Sequence, residues 1–195
     1  MSARQDAPAM TRRQHDPPVW EFGDLVIRRY DAGDHDHVLA LHHTALTEVG
    51  LRPGDGVYYD DDFPRLQEIY LDGGGEFLVA EPATVAGAGL CVIAMGALRR
   101  VDAEIAEMVR LRVHPHVQRR GYGAVIVRAI EDRAVELGYR LLRGDTTALQ
   151  GPALRLYRRF GWREVRRADV HGIVTIYVEK ALAPPDGVSP DPPAG

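Results

Sequence analysis

Residues 107–134 read EMVRLRVHPHVQRRGYGAVIVRAIEDRA. The period changes within this stretch, between His114 and Gly121. Before it, alternation predicts a strand over residues 103–113. Ile105, Glu107, Val109, Leu111 and Val113 share one face, and Met108, Arg110 and Arg112 the other. His114-Pro115 ends the strand, because proline has no N–H for a ladder. After it, Ile126, Ile130, Ala134 and Leu137 recur on one helical face from 121 to 137, and Gly138 stops the helix. Gln118-Arg119-Arg120-Gly121-Tyr122-Gly123 therefore joins a strand end to a helix start. Small residues there let backbone approach a ligand. The helix's open N–H groups and positive dipole end favour phosphate, and Arg119 and Arg120 add mobile charge. Read alone, such a stretch is more often a glycine-bearing loop before an ordinary helix. The dinucleotide pattern fails, since Val125 and Ile126 follow Gly123-Ala124.

Outward from this stretch, strands alternate with helices. DLVIRRY (24–30) reads as a strand, with Asp34 capping a helix to about Val49. LRPGDGVYYDDD (51–62) is a loop, and Asp62 opens a helix over 64–71. EFLVAEP (76–82) and GAGLCVIAMGALRR (87–100) are strands. YRLLRGDTT (139–147) is another. GPALRLYRRF (151–160) is a short helix with Pro152 in its first turn. WREVRRADV and GIVTIYVEKAL form a closing hairpin turning at His171-Gly172. The pattern predicts an α/β (α+β) domain over residues 21–182, built on a mixed sheet flanked by helices. Residues 1–20 and the Pro-rich 183–195 read as disordered extensions.

Composition narrows the chemistry. The chain has 195 residues and a net charge of −4, which suits one domain with tails. One cysteine, Cys91, excludes a disulfide framework and a zinc site on a cysteine pair. The only serines are Ser2 and Ser189, in the tails, which argues against a serine hydrolase. The only lysine is Lys180, so a phosphate loop ending in Gly-Lys is absent. No apolar run approaches a membrane span, and the N-terminus lacks the apolar core of a secretory signal. The expectation is a soluble, cytoplasmic protein. Charge is uneven: residues 21–98 carry 4 basic and 14 acidic side chains, residues 99–180 carry 17 and 10. The histidines His35, His37, His42 and His43 lack metal-ligand spacing, and no metal is expected.

The order strand, Val-x-Pro, Gln-Arg-Arg-Gly-Tyr-Gly, long helix resembles the acetyl-CoA signature of the GNAT superfamily of N-acetyltransferases. Gln118, Gly121 and Gly123 match its Q/R-x-x-G-x-G/A motif. ALRLYRRFGW (153–162) resembles a second block, A-x-x-L-Y-x-x-x-G-F, with Trp162 for the usual Phe and Gln150 where Asn is common. The resemblance covers roughly residues 24–182. It implies a mostly antiparallel central sheet, splayed between the fourth and fifth strands, here 103–113 and 139–147. It implies acetyl-CoA as co-substrate, with the backbones of Leu111, Arg112 and Val113 holding the pantetheine arm. The amides of Arg119, Arg120, Gly121, Tyr122, Gly123 and Ala124, after Gln118, would hold the pyrophosphate. A homodimer is common in the family.

Acetyl transfer to an amine needs two proton steps, because the amine must lose a proton and the thiolate benefits from an acid. Glu107 stands in an apolar stripe, where partial desolvation would raise its pKa; the pattern also allows a salt bridge or an outward bulge. The resemblance, with Glu107 eleven residues before Gln118, favours a general base. Glu104 is the fallback. Tyr157 shares a stripe with Ala153, Leu156 and Phe160, which by periodicity alone reads as core. The resemblance makes it the general acid facing the sulfur. Cys91, in an apolar run, reads as a buried structural thiol, so transfer is expected to be direct, in a ternary complex. The segment with Tyr58, Tyr59, Asp60, Asp61 and Asp62 is expected to receive a cationic amine, small molecule or peptide. The competing readings are a non-catalytic acyl-CoA sensor and, through the Arg-rich second half, a nucleic-acid binder. The second is disfavoured by the acidic half and a pI near 6.1. Neither nucleic acid nor membrane is an expected partner.

Overall fold

The structure is a computed structural model, and it describes residues 9–13, 18–51, 60–85 and 91–183. Alternating apolar runs pair into one sheet. Its strands are β1 (Thr11–Arg13), β2 (Val19–Phe22), β3 (Leu25–Arg29), β4 (Glu76–Pro82), β5 (Ala94–Arg100), β6 (Ile105–Val113), β7 (Leu141–Thr147), β8 (Arg163–Val170) and β9 (Ile173–Ala181). Among the described residues the order is β1-β2-β3-β4-β5-β6-β7-β9-β8. Every neighbouring pair is antiparallel except β6–β7. Among the described residues the α-helices α1 (His35–Glu48), α2 (Tyr122–Glu136) and α3 (Gly151–Arg159) flank it. None is long and apolar enough to cross a membrane.

Each face of the sheet has its own core. On one, Ile126 and Ile130 of α2 pack with Leu98, Met108, Leu142 and Trp162. The approach is close because β5 carries Gly96 there: a Cβ at that position would lie 2.8 Å from Ile126. On the other face Val38 and Leu41 of α1 pack with Phe63, Tyr70, Phe77 and Val79. Burying large apolar side chains contributes about 2 kcal/mol each, so both layers are held mainly by this term.

Several expectations need correction. The N-terminal extension is not disordered throughout: β2 pairs with β3 across a turn at Gly23, and Trp20 is fully buried. Asp34 does not cap α1 with its side chain; it accepts from Arg28, while Asp31 caps the preceding turn. The segment after Asp62 is not an α-helix but a 3-10 turn (Phe63–Arg65) followed by a π turn (Gln67–Leu71). The strand expected over 87–100 begins at Ala94, and Cys91 before it is exposed rather than buried. Residues 86–90 and the C-terminal tail from 184 lie outside the described residues.

The largest correction concerns β6. Its register with β5 shifts between Val109↔Ala97 and Arg112↔Met95, so Arg110 and Leu111 together oppose Gly96. Arg110 adopts φ +57°, a left-handed conformation rare for a branched-free cationic residue. This is a β-bulge, and it inverts the alternation. Val109 and Arg110 both face the α1 side, while Leu111 and Val113 turn to the α2 core beside Met108. The expected shared face of Glu107, Leu111 and Val113 therefore does not exist.

Candidate active site

The same strand opens the sheet. β6 and β7 pair in parallel from Ile105↔Leu141 to Met108↔Gly144, and no pair follows among the described residues. Beyond that point they diverge, as expected for strands 103–113 and 139–147. A cleft of about 230 Å³ lies in the gap, walled by β6, β7, α3 and the segment from Asp61 to Tyr70.

At its far end the chain turns through Pro115–Val117 into α2. Arg119 and Gly121 take positive φ, +64° and +89°, which aims successive amides differently from a helix. The first helical hydrogen bonds run from Ala124 and Val125 to the carbonyl of Gly121. The amides before them stay at the positive end of α2. Arg119 and Arg120 are exposed beside them. Gln118 donates to the Val113 carbonyl at 3.3 Å, fastening the turn to β6. Tyr122 contributes only its amide here: its ring is buried in the core and its hydroxyl donates to Asp24 at 3.0 Å. Along β6 from Leu111 through Arg112 to Val113, the edge that faces β7 has no strand partner among the described residues.

Tyr157 of α3 reaches the cleft, held by Trp162 with ring centroids 5.3 Å apart. Gln150 and Ala153 line the wall near it. Glu107 sits just below the opening, level with Arg143. It accepts from Arg99 Nε at 3.2 Å and is not part of the cleft wall, whereas Arg99 is.

The acidic segment folds inward. Asp62 accepts from Arg110 and from the Tyr70 hydroxyl, and Asp60 accepts from Arg110 Nη1 at 3.0 Å. Arg110 also lies over Phe63, 4.7 Å from its centroid. Only Asp61 of the three is exposed, and it lines the cleft. The expected open anionic surface is thus reduced to Asp61, because Arg110 neutralises its neighbours. Tyr58 and Tyr59 lie outside the described residues. His42 is buried against Phe63 and its Nε2 lies 2.9 Å from Asp60. Burial, with the charges of Arg112 and Arg110, pushes the His42 imidazole down to about 2, so it is neutral and donates to Asp60. Burial and the Asp62 carboxylate raise the Tyr70 phenol.

One cleft residue was missed from the sequence. Asp145 of β7 lines the cleft opposite Arg110 and Arg112. Alternation along β7 puts Leu142 in the α2 core and Asp145 on the other face. Burial first, and the negative charge of Glu107 second, raise its carboxyl above the usual carboxylate range, with Arg112 opposing. The available signal was a lone carboxylate in the strand flanking the gap.

The model of the Acetyltransferase (GNAT) family matches residues 40–162. No curated protein matches the sequence significantly. An acetyltransferase from Streptococcus agalactiae is similar in structure, with TM-score 0.69 at 18% identity, over 83% of this chain and 100% of that one. A phosphinothricin acetyltransferase from Sinorhizobium meliloti, in complex with acetyl-CoA, gives TM-score 0.65 at 18% identity over 86% and 97%. A putative acetyltransferase from Salmonella typhimurium, with its cofactor acetyl-CoA, gives 0.61 at 17% over 87% and 99%.

Proposed function

The chain belongs to the GNAT family of acetyltransferases, and on that footing we propose that it moves an acetyl group from acetyl-CoA to an amine, by direct attack in a ternary complex. The observation that carries this reading is the parting of β6 and β7 beyond Met108–Gly144, with Tyr157 in the gap. The edge of β6 that β7 leaves, over Leu111, Arg112 and Val113, adds the pantetheine amides as an extra strand. The amides from Arg119 to Ala124 hold the pyrophosphate at the start of α2. Bound there, acetyl-CoA supplies an activated acyl carbon at the cleft.

Tyr157 gives its hydroxyl proton to the departing sulfur, a task for which a phenolic O–H donor is suited. The base expected from the sequence, Glu107, is paired with Arg99 at the solvent side of the opening. In this reading it receives the amine's proton at a distance, through a relay. Asp61 and the segment before it, including Tyr58 and Tyr59, offer the cationic acceptor its approach, while Asp60 and Asp62 act by fixing Arg110.

The test is incubation with acetyl-CoA and a set of primary amines, with products identified by mass. An N-acetylated amine supports the reading. Tight acetyl-CoA binding with no product would favour the acyl-CoA sensor instead.

A further inference from the structure

We propose that Asp145 is the catalytic residue that takes the proton from the acceptor amine, the first station of the relay that ends at Glu107. The inference rests on the amine-acetylation reading above and names the residue at its reacting end.

Glu107 is engaged by Arg99, and Asp60 and Asp62 by Arg110. The Asp145 carboxylate forms no hydrogen bond or ion pair with another side chain among the described residues, although it lines the cleft with Tyr157. A half-buried carboxylate without a partner is costly unless something cationic visits it. An ammonium group in the cleft is such a visitor. Asp145 and Tyr157 also approach from opposite faces of the sheet, so an amine at Asp145 and a sulfur at Tyr157 would stand on either side of the acyl carbon.

The charges around Asp145 set its proton affinity. From β6, Glu107 raises it, and Arg112 and Arg110 lower it; from β5, Arg99 lowers it. Tyr177 of β9 is its register partner, and Tyr157 faces it from α3 across the cleft. Burial and Glu107 prevail, so the carboxyl holds a proton to higher pH than a free aspartate.

The step balances. The acceptor enters as an ammonium, and Asp145 takes one proton, freeing the nitrogen lone pair. The N–C bond forms and the C–S bond breaks, with the electron pair leaving on sulfur. Tyr157 protonates that sulfur, and the second proton lost by nitrogen restores Tyr157. Asp145 passes its own proton to solvent by way of Glu107.

The experiment is thiol release from acetyl-CoA with spermidine, glucosamine and a peptide with a free N-terminus, for wild type, Asp145→Asn and Glu107→Gln across pH. Acetyl-CoA affinity serves as the control for folding. The expected result for Asp145→Asn is a kcat about 100-fold lower with acetyl-CoA affinity kept, and loss of the acid limb of kcat/KM. Glu107→Gln removes a negative neighbour, so the limb should move to lower pH while persisting. Turnover by Asp145→Asn equal to wild type across pH would overturn the assignment alone. So would a limb that vanishes in Glu107→Gln and survives in Asp145→Asn. A wild-type protein silent with every amine would overturn the transfer reading and this assignment with it.

Discussion

Arg110 donates through Nε to Asp62 at 3.0 Å, and that contact ties the bulge of β6 to a segment 48 residues earlier. The bulge aims Arg110 inward, and the two aspartates Asp60 and Asp62 receive it. Both members of the Arg110–Asp62 pair are 8% exposed in their side chains, so neither charge is satisfied by water if the other is lost. Arg110→Ala is expected to destabilise the protein by about 3 kcal/mol in urea denaturation, because it strands buried carboxylates. A loss under about 1 kcal/mol would mark the contact as an ordinary surface pair.

Tyr157→Phe separates chemistry from packing. The ring keeps its contact with Trp162, so stability should change by less than about 1 kcal/mol. Loss of the hydroxyl should lower kcat about 100-fold with little effect on KM for acetyl-CoA. Steady-state kinetics beside a thermal melt reads both.

The two glycines of the motif differ in kind. Gly121 sits at φ +89°, so Gly121→Ala should cost about 1 kcal/mol and weaken acetyl-CoA binding by distorting the turn. A Cβ at Gly123 would meet Leu156 and Val113 at 3.5 Å, ordinary contact. Gly123→Ala should therefore leave the melting temperature nearly unchanged. Denaturation midpoints and calorimetric acetyl-CoA affinities distinguish the two.

His42 gives stability a pH dependence with a definite sign. Its folded pKa is about 2, against an unfolded value of about 6.5. Above the unfolded value both states are neutral, and nothing is lost. As pH falls below it, the unfolded chain gains a proton that the folded chain refuses. Stability then drops by about 1.4 kcal/mol per pH unit, or about 2 kcal/mol by pH 5. Urea denaturation should show this loss in wild type, and a shallower one in His42→Gln. Equal slopes in the two proteins would refute it.

The motif around Gly121 was legible because a change of hydrophobic period, a proline and two glycines coincide in a few residues. The parting of β6 and β7 followed from the resemblance alone. The bulge was not legible: alternation assumes every residue of a strand is paired, and nothing in MVRLRV marks Arg110 as left-handed. Its partners, Asp60 and Asp62, lie far away in sequence, so the inward fold of the acidic segment was hidden with it. The hairpin of β2 and β3 had a signal in Phe22-Gly23-Asp24, where a glycine at φ +59° makes the turn and lets Trp20 enter the core. Asp145 escaped notice because its burial beside Glu107, at a point of β7 that β6 no longer pairs among the described residues, emerges only in the assembled sheet.

The central claim is acetyl transfer to an amine in the cleft beside Tyr157. The most direct measurement is thiol release from saturating acetyl-CoA over a varied amine panel, by wild type and Tyr157→Phe side by side. Amine-dependent release by wild type, suppressed about 100-fold in Tyr157→Phe, is the predicted result. Acetyl-CoA binding by both proteins with no release from either would contradict it.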